Sequence, residues 1–155
     1  MNRERRSRDP PGLYLGHATV GVAGLGGLGS NLCQMLARAG VGRLVVADCD
    51  RVEYSNLNRQ DYLPDDVGSW KTYAASKRIR SIDPDVEIIA HCVRLEPSNV
   101  VSIFSGCDVV CEALDSAESK SMLVDALLIG CPGMKVVSGS GMAGLGDPGL
   151  IKTEK

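Results

Sequence analysis

Ala18-Thr-Val-Gly-Val-Ala-Gly-Leu-Gly-Gly-Leu-Gly-Ser30 is the stretch whose reading decides the fold of this chain. Its first six residues are small, apolar or β-branched and read as a buried strand. Residues 29–39 read as a helix, so Gly24, Gly26, Gly27 and Gly29 fall on a strand-to-helix turn. Missing side chains at such a turn let backbone amides approach an anion, and the helix N-terminus adds unpaired N–H groups and a positive dipole end. Asp48 follows 19 positions after Gly29 and closes a second apolar run, Arg43-Leu-Val-Val-Ala47. A carboxylate at that strand end can accept hydrogen bonds from ribose hydroxyls. Together the two features point to a nucleotide site.

Working outward, strands and helices alternate. Strands are expected at 19–23, 43–48, 87–94, 107–114 and 135–138, with helices at 28–39, 71–82, 97–104 and 117–129. Asp83-Pro84 stops the second helix, because a residue before proline is pushed out of the helical region. Cys131-Pro-Gly133 ends the last one. This order implies right-handed crossovers and an α/β, Rossmann-like doubly wound sheet, mainly parallel, with helices on both faces. Ligands of such sheets bind outside the carboxyl ends of the strands. That rule gathers the glycine turn, Asp48, the segment Asn56 to Gln60, Leu114-Asp115 and Gly139-Ser140-Gly141 around one crevice.

Size and composition fit one globular domain. The chain has 155 residues, 44% hydrophobic and 23% charged, with a formal net charge of -2. That balance gives no reason to expect a nucleic-acid partner. Residues 1–17 are set apart by a basic head, Asn2-Arg-Glu-Arg-Arg-Ser-Arg8, which reads as a solvated terminus; residues 18–155 form the nucleotide-binding domain. No run has the length of a membrane span. The 6 cysteines lie mostly inside apolar strand or helix patterns, so free thiols in a reducing cytoplasmic compartment are expected. No CxxC pair occurs, and Cys107 and Cys111, read on one strand, would stand about 13 Å apart, too far to share a metal ion. Residues 149–155 read as the beginning of a further strand, so the domain is expected to be incomplete at its C-terminus.

Three charged residues stand at the rim of the expected crevice. Arg59 and Lys71 flank the long polar loop 49–69 and are placed to reach phosphates. Asp115 ends a buried strand, where a carboxylate can hold Mg²⁺ against those phosphates. Taken singly, each has a plainer role: Arg59 as a surface ion-pairing residue, Lys71 as a solvated helix start, Asp115 as the N-cap of the next helix. Placed together they suit a triphosphate. The 2 histidines, His17 and His91, read as structural, with His91 away from the carboxyl end of its strand.

Further segments carry a resemblance. Gly-Leu-Gly-Gly-Leu-Gly-Ser30, Ala-Gly-Val-Gly42, Asp-Cys-Asp-Arg-Val52, Ser-Asn-Leu-Asn-Arg-Gln60, Val-Gly-Ser-Trp-Lys71 and Ile-Asp-Pro84 resemble the ThiF/MoeB/ubiquitin-activating-enzyme superfamily over residues 19–144. The bacterial ThiF branch, which activates a thiamine-pathway sulfur carrier, looks most similar. The resemblance implies ATP-dependent adenylation of the C-terminal glycine carboxylate of a ubiquitin-fold sulfur-carrier protein ending in Gly-Gly. It implies that Gly24, Gly26, Gly27, Leu28 and Gly29 contact ATP and that Asp48 binds ribose. Asn56, Arg59 and Lys71 would hold phosphates beside Asp50 and Gln60, and Asp115 would bind Mg²⁺. Arg59, Lys71 and Asp115 are thus the expected catalytic set, in a homodimer. An arginine of the N-terminal segment, among Arg3, Arg5, Arg6 and Arg8, would reach the ATP of a partner protomer. The chain departs from the pattern: Trp70 replaces the usual proline before the lysine, the absence of CxxC removes the tetracysteine zinc site, the segment ahead of the first strand is short, and none of the 6 cysteines sits at the position of the catalytic cysteine of many relatives. An NAD-binding oxidoreductase module and a non-catalytic scaffold for ubiquitin-fold proteins are the alternatives.

Overall fold

The computed structural model describes residues 15–139. Five strands and four helices alternate: β1 (Thr19–Ala23), α1 (Gly29–Arg38), β2 (Arg43–Ala47), α2 (Lys71–Ile82), β3 (Glu87–His91), α3 (Pro97–Phe104), β4 (Val109–Glu112), α4 (Ala117–Gly130) and β5 (Lys135–Ser138). They form one sheet of order β3-β2-β1-β4-β5 in which every pairing is parallel. The chain steps outward from β1 to β3, then returns to lay β4 against the other edge of β1. This reversal makes a topological switch point at the carboxyl ends of β1, β2 and β4.

The strands alternate their burial, as the pleat requires. Val20, Val22, Leu44 and Val46 face the layer of α1 and α2, where they meet Cys33, Ala37, Ala74 and Ile79. Ala23, Val45, Ala47 and Val110 face the opposite layer of α3 and α4, where Phe104, Leu123 and Leu127 are fully buried. Burial on both faces explains why β1 and β2 read as continuous apolar runs and not as alternating ones.

Three strands are shorter than their sequence suggests, β2 by its last residue only. The ladder of β4 stops at Glu112 because that carboxylate accepts the Leu114 N–H at 2.6 Å and turns the chain. At its other end, Cys107 donates its N–H to Phe104 O in the turn after α3, outside the strand. Its distance from Cys111 therefore cannot be counted along one strand. β3 stops at His91, level with the last β2 residue Ala47. His91 is thus at the carboxyl end of its strand, contrary to expectation, with its carbonyl taken by Asp48 N–H at 3.2 Å. The basic head at residues 2–8, Ser140-Gly141 and the strand start at residues 149–155 lie outside the described residues.

Candidate active site

The turn between β1 and α1 is shaped by two of its glycines. Gly24 has φ +93°, a left-handed conformation, and a Cβ there would lie 2.7 Å from Ala113 O. At Gly29 a Cβ would run into Gly24 O, so this glycine lets α1 begin tight against the strand end. Gly26 has open space where its side chain would be. A ligand can therefore reach that backbone.

Side chains then fasten the turn. Asp48 Oδ2 accepts the Leu25 N–H at 2.7 Å, and its Oδ1 accepts the Asp50 N–H at 2.7 Å. Each oxygen keeps a lone pair for a further donor. The buried Tyr62 hydroxyl donates to Leu25 O at 2.8 Å. Desolvation, with Asp48 adding to it, pushes the Tyr62 hydroxyl far above its ordinary pKa, so it stays a neutral donor. Ser30 Oγ donates to Gly26 O, and Asn31 Nδ2 bridges Gly27 O and Arg59 O. The turn is thereby rigid before any ligand arrives.

A crevice of about 600 Å³ opens at the switch point. Gly24, Gly26, Gly27, Asp48, Asp50, Asn56, Arg59, Gln60, Lys71 and Asp115 all line it. Leu28 and Gly29 do not: Leu28 faces solvent at 53% exposure, and Gly29 is buried against Gly24. Asn56 is a buried structural link as well, accepting the Glu53 N–H at 3.0 Å. Gln60 Oε1 is buried without a hydrogen-bond partner among the described residues.

Lys71 is the first residue of α2, yet it is only 7% exposed. A cation at a helix N-terminus opposes the dipole, so this placement costs stability unless a partner offsets it. Asp50 supplies the partner, with Nζ to Oδ2 at 2.8 Å. The hydrogen bond from Lys71 in turn holds the Asp50 carboxyl below the usual carboxylate range. Arg59 is exposed and steadied by Ser55 O and Asn58 Oδ1, both 3.1 Å from Nη1. Asp115 is exposed, and its side chain has no partner among the described residues. The cap of α4 is Ser116, whose Oγ accepts the Ser119 N–H at 3.1 Å, so Asp115 is not the N-cap.

Several crevice residues escaped the sequence reading. Arg51, Glu53, Arg94 and Ser119 also line the wall. Arg51 lies in a loop without periodicity, and Arg94 follows β3 by three residues, where a longer strand was expected. Glu112 was missed too. It is 1% exposed at the end of β4 and binds Lys120 Nζ at 2.9 Å and Ser138 Oγ at 2.6 Å. A charged residue inside an apolar run was the available signal. Among the described residues no His, Cys, Asp and Glu cluster is fit to hold a metal ion alone, and no helix is long and apolar enough to cross a membrane.

Glycines on a helix N-terminus, with carboxylates and cations at the strand ends, define a Rossmann-type domain whose crevice suits a phosphorylated ligand. More closely, the chain belongs to the ThiF family, whose model matches residues 11–155. It is 42% identical over 120 residues to a sulfur carrier protein adenylyltransferase of Thermus thermophilus, covering 76% of this chain and 44% of that protein. It is 44% identical over 107 residues to the SAMP-activating enzyme E1 of Haloferax volcanii, covering 68% and 40%. Among solved structures, the E. coli tRNA N6-threonylcarbamoyladenosine dehydratase TcdA in complex with ATP matches with a TM-score of 0.79 and 33% identity, over 87% of this chain and 56% of that one. The chain thus spans about half the length of such relatives.

Proposed function

We propose that this chain carries the nucleotide site of an ATP-dependent adenylyltransferase, which activates the C-terminal glycine carboxylate of a ubiquitin-fold sulfur-carrier protein. The observation that carries the reading is the convergence of Arg59, Lys71 and an uncapped Asp115 on the crevice of the glycine turn. In the reaction a carboxylate oxygen attacks the α-phosphorus of ATP, the bond to the β-phosphate oxygen breaks, and pyrophosphate leaves. No strong base is required. The site has to align the attack and neutralise charge on the departing phosphates.

The residues divide that work. Backbone N–H groups of the turn and the α1 N-terminus receive phosphate oxygens, and Asp48 accepts from ribose through its remaining lone pairs. Asn56 and Gln60 complete the wall beside Arg59. Lys71, oriented by Asp50, supplies positive charge to the phosphates. Asp115, an unpaired carboxylate on the crevice, fits Mg²⁺ and would hold it as a single protein ligand. Bound there, the ion would neutralise charge developing on the leaving pyrophosphate. The NAD-binding alternative gives Arg59, Lys71 and Asp115 no joint role.

Relatives named as activating sulfur carrier proteins and SAMP support a carrier protein as the substrate; the proposal takes that carrier to end in Gly-Gly, the thiamine-pathway carrier being the first to try. The proposal includes a cytoplasmic homodimer, as the resemblance to this family implies. Similarity to a tRNA dehydratase favours a second reading, in which the activated group sits on a modified tRNA nucleoside. Exchange of labelled pyrophosphate into ATP tests both. The proposal expects exchange only with a Gly-Gly-tailed carrier and none with a carrier lacking its last glycine. Exchange driven by the tRNA instead would favour the second reading, and tight NAD binding with silent ATP would sink both.

A further inference from the structure

Arg51 and Trp70 form a feature that the adenylation chemistry leaves unused. Residues 50–52 and 68–71 run antiparallel: Val52 N–H donates to Ser69 O at 2.8 Å, Gly68 N–H to Val52 O at 2.8 Å, and Lys71 N–H to Asp50 O at 2.9 Å. This register sets Asp50 beside Lys71 and Arg51 directly across from Trp70. The Arg51 guanidinium lies over the indole, 3.9 Å from the ring centroid, and its Nη1 donates to Gly68 O at 2.6 Å. An arginine otherwise loses much rotamer freedom when it grips a ligand; here the ordering is done beforehand.

The charge of Arg51 is nevertheless unanswered. No carboxylate pairs with it among the described residues, whereas Lys71 on the same ladder is paired with Asp50. Stacking occupies the face of the guanidinium and leaves its in-plane N–H groups available, one of them spent on Gly68. The residue lines the crevice. A fixed, planar, uncompensated cation at such a wall matches the oxygens of a phosphate group, which two parallel N–H donors can bind at once.

We infer that Arg51, held flat on Trp70, is a phosphate-binding residue that grips the terminal phosphates of a bound nucleoside triphosphate and the pyrophosphate released from it. The inference rests on the adenylyltransferase reading. The proximal part of the nucleotide is assigned to the glycine turn and Asp48. Arg51 lines the same crevice wall as Arg59 and Lys71, which groups it with the cations assigned to the phosphates.

Trp70 is the only tryptophan of the chain and reports directly on this contact. The full chain is titrated with MgATP, with pyrophosphate and with AMP, followed by tryptophan fluorescence and by calorimetry. ATP and pyrophosphate are expected to change the Trp70 emission, and AMP is not. Arg51→Ala should weaken ATP and pyrophosphate about tenfold, the scale of one charge-assisted contact, and leave AMP within about twofold. Trp70→Phe keeps a ring under the guanidinium and should retain most of the affinity. Native ATP affinity in Arg51→Ala, or an equal loss for AMP, overturns the inference while leaving the adenylation reading intact. A loss confined to the KM for the carrier would overturn it by assigning Arg51 to the carrier's carboxylate. If the native chain binds no ATP, the adenylation reading fails and this inference with it.

Discussion

Asp115 is left free of capping duty by its neighbour. Ser116 takes the capping duty of α4, and the Asp115 carboxylate, exposed at the crevice, has no other structural employment among the described residues. Asp115→Asn should therefore leave folding intact. If the carboxylate holds Mg²⁺, its interaction strengthens as charge builds on the departing pyrophosphate, so the effect falls on the transition state. Carrier-dependent pyrophosphate exchange should drop by about 10²-fold or more, with ATP affinity nearly unchanged. Asp48→Asn should show the reverse, because a ribose contact is almost uniform along the reaction and the same carboxylate fastens the Leu25 N–H. Steady-state kinetics on both variants checks the contrast; near-normal turnover in Asp115→Asn would leave that residue without a catalytic role. At this scale the sequence was legible where a motif fixes geometry. Gly24 and Asp48 stood out by spacing, and Lys71 by its place at the end of the long polar loop. Arg51 did not, because only the ladder with residues 68–71 gives it a direction.

Among the elements, β4 shows most clearly what periodicity cannot reveal. Its apolar run suggested eight buried residues, but pairing with β1 covers Val109 to Glu112. Glu112 ends the strand, and the same carboxylate joins three elements: Oε1 accepts the Leu114 N–H, Lys120 of α4 donates to both oxygens, and Ser138 of β5 donates to Oε2. This fastening holds the turn that presents Asp115. Its side chain is 0% exposed, against 26% for Lys120, so the pair is largely removed from water. Breaking such a pair from one side leaves a stranded ammonium and two unsatisfied donors. Glu112→Ala should cost about 3 kcal/mol of stability, read as a lower urea midpoint. Combining Glu112→Gln with Lys120→Met should recover most of that loss, since the desolvation penalty disappears with both charges. No recovery in the double variant would mean that packing around Glu112, and not charge, sets the cost.

For the molecule as a whole, the doubly wound sheet was legible because two buried central strands need helices on both faces, and alternating elements allow few other arrangements. Of the two edge strands, β5 was legible at its full extent, whereas β3 was not, since its only neighbour is β2 and its end is level with the last β2 residue. The crevice lies where the two halves meet. Its walls come from the ends of β1, β2 and β3 and from the turn after β4, so a ligand there touches both the α1–α2 layer and the α3–α4 layer. Binding should stabilise the fold as one unit, by about 2.7 kcal/mol when ligand stands at a hundredfold excess over its Kd. For a domain of this size that corresponds to a rise in Tm of roughly 5–10 °C. The cations Arg51, Arg59 and Lys71 on the wall favour a triphosphate, whereas the single bridging pyrophosphate of NAD answers fewer of them. MgATP should therefore raise Tm by that amount and NAD at the same concentration should leave it within about 1 °C. Differential scanning calorimetry with each ligand decides the matter. An equal shift with NAD would remove the nucleotide preference on which the adenylation chemistry depends, and would return the site to the dinucleotide-binding class that its glycine turn alone permits.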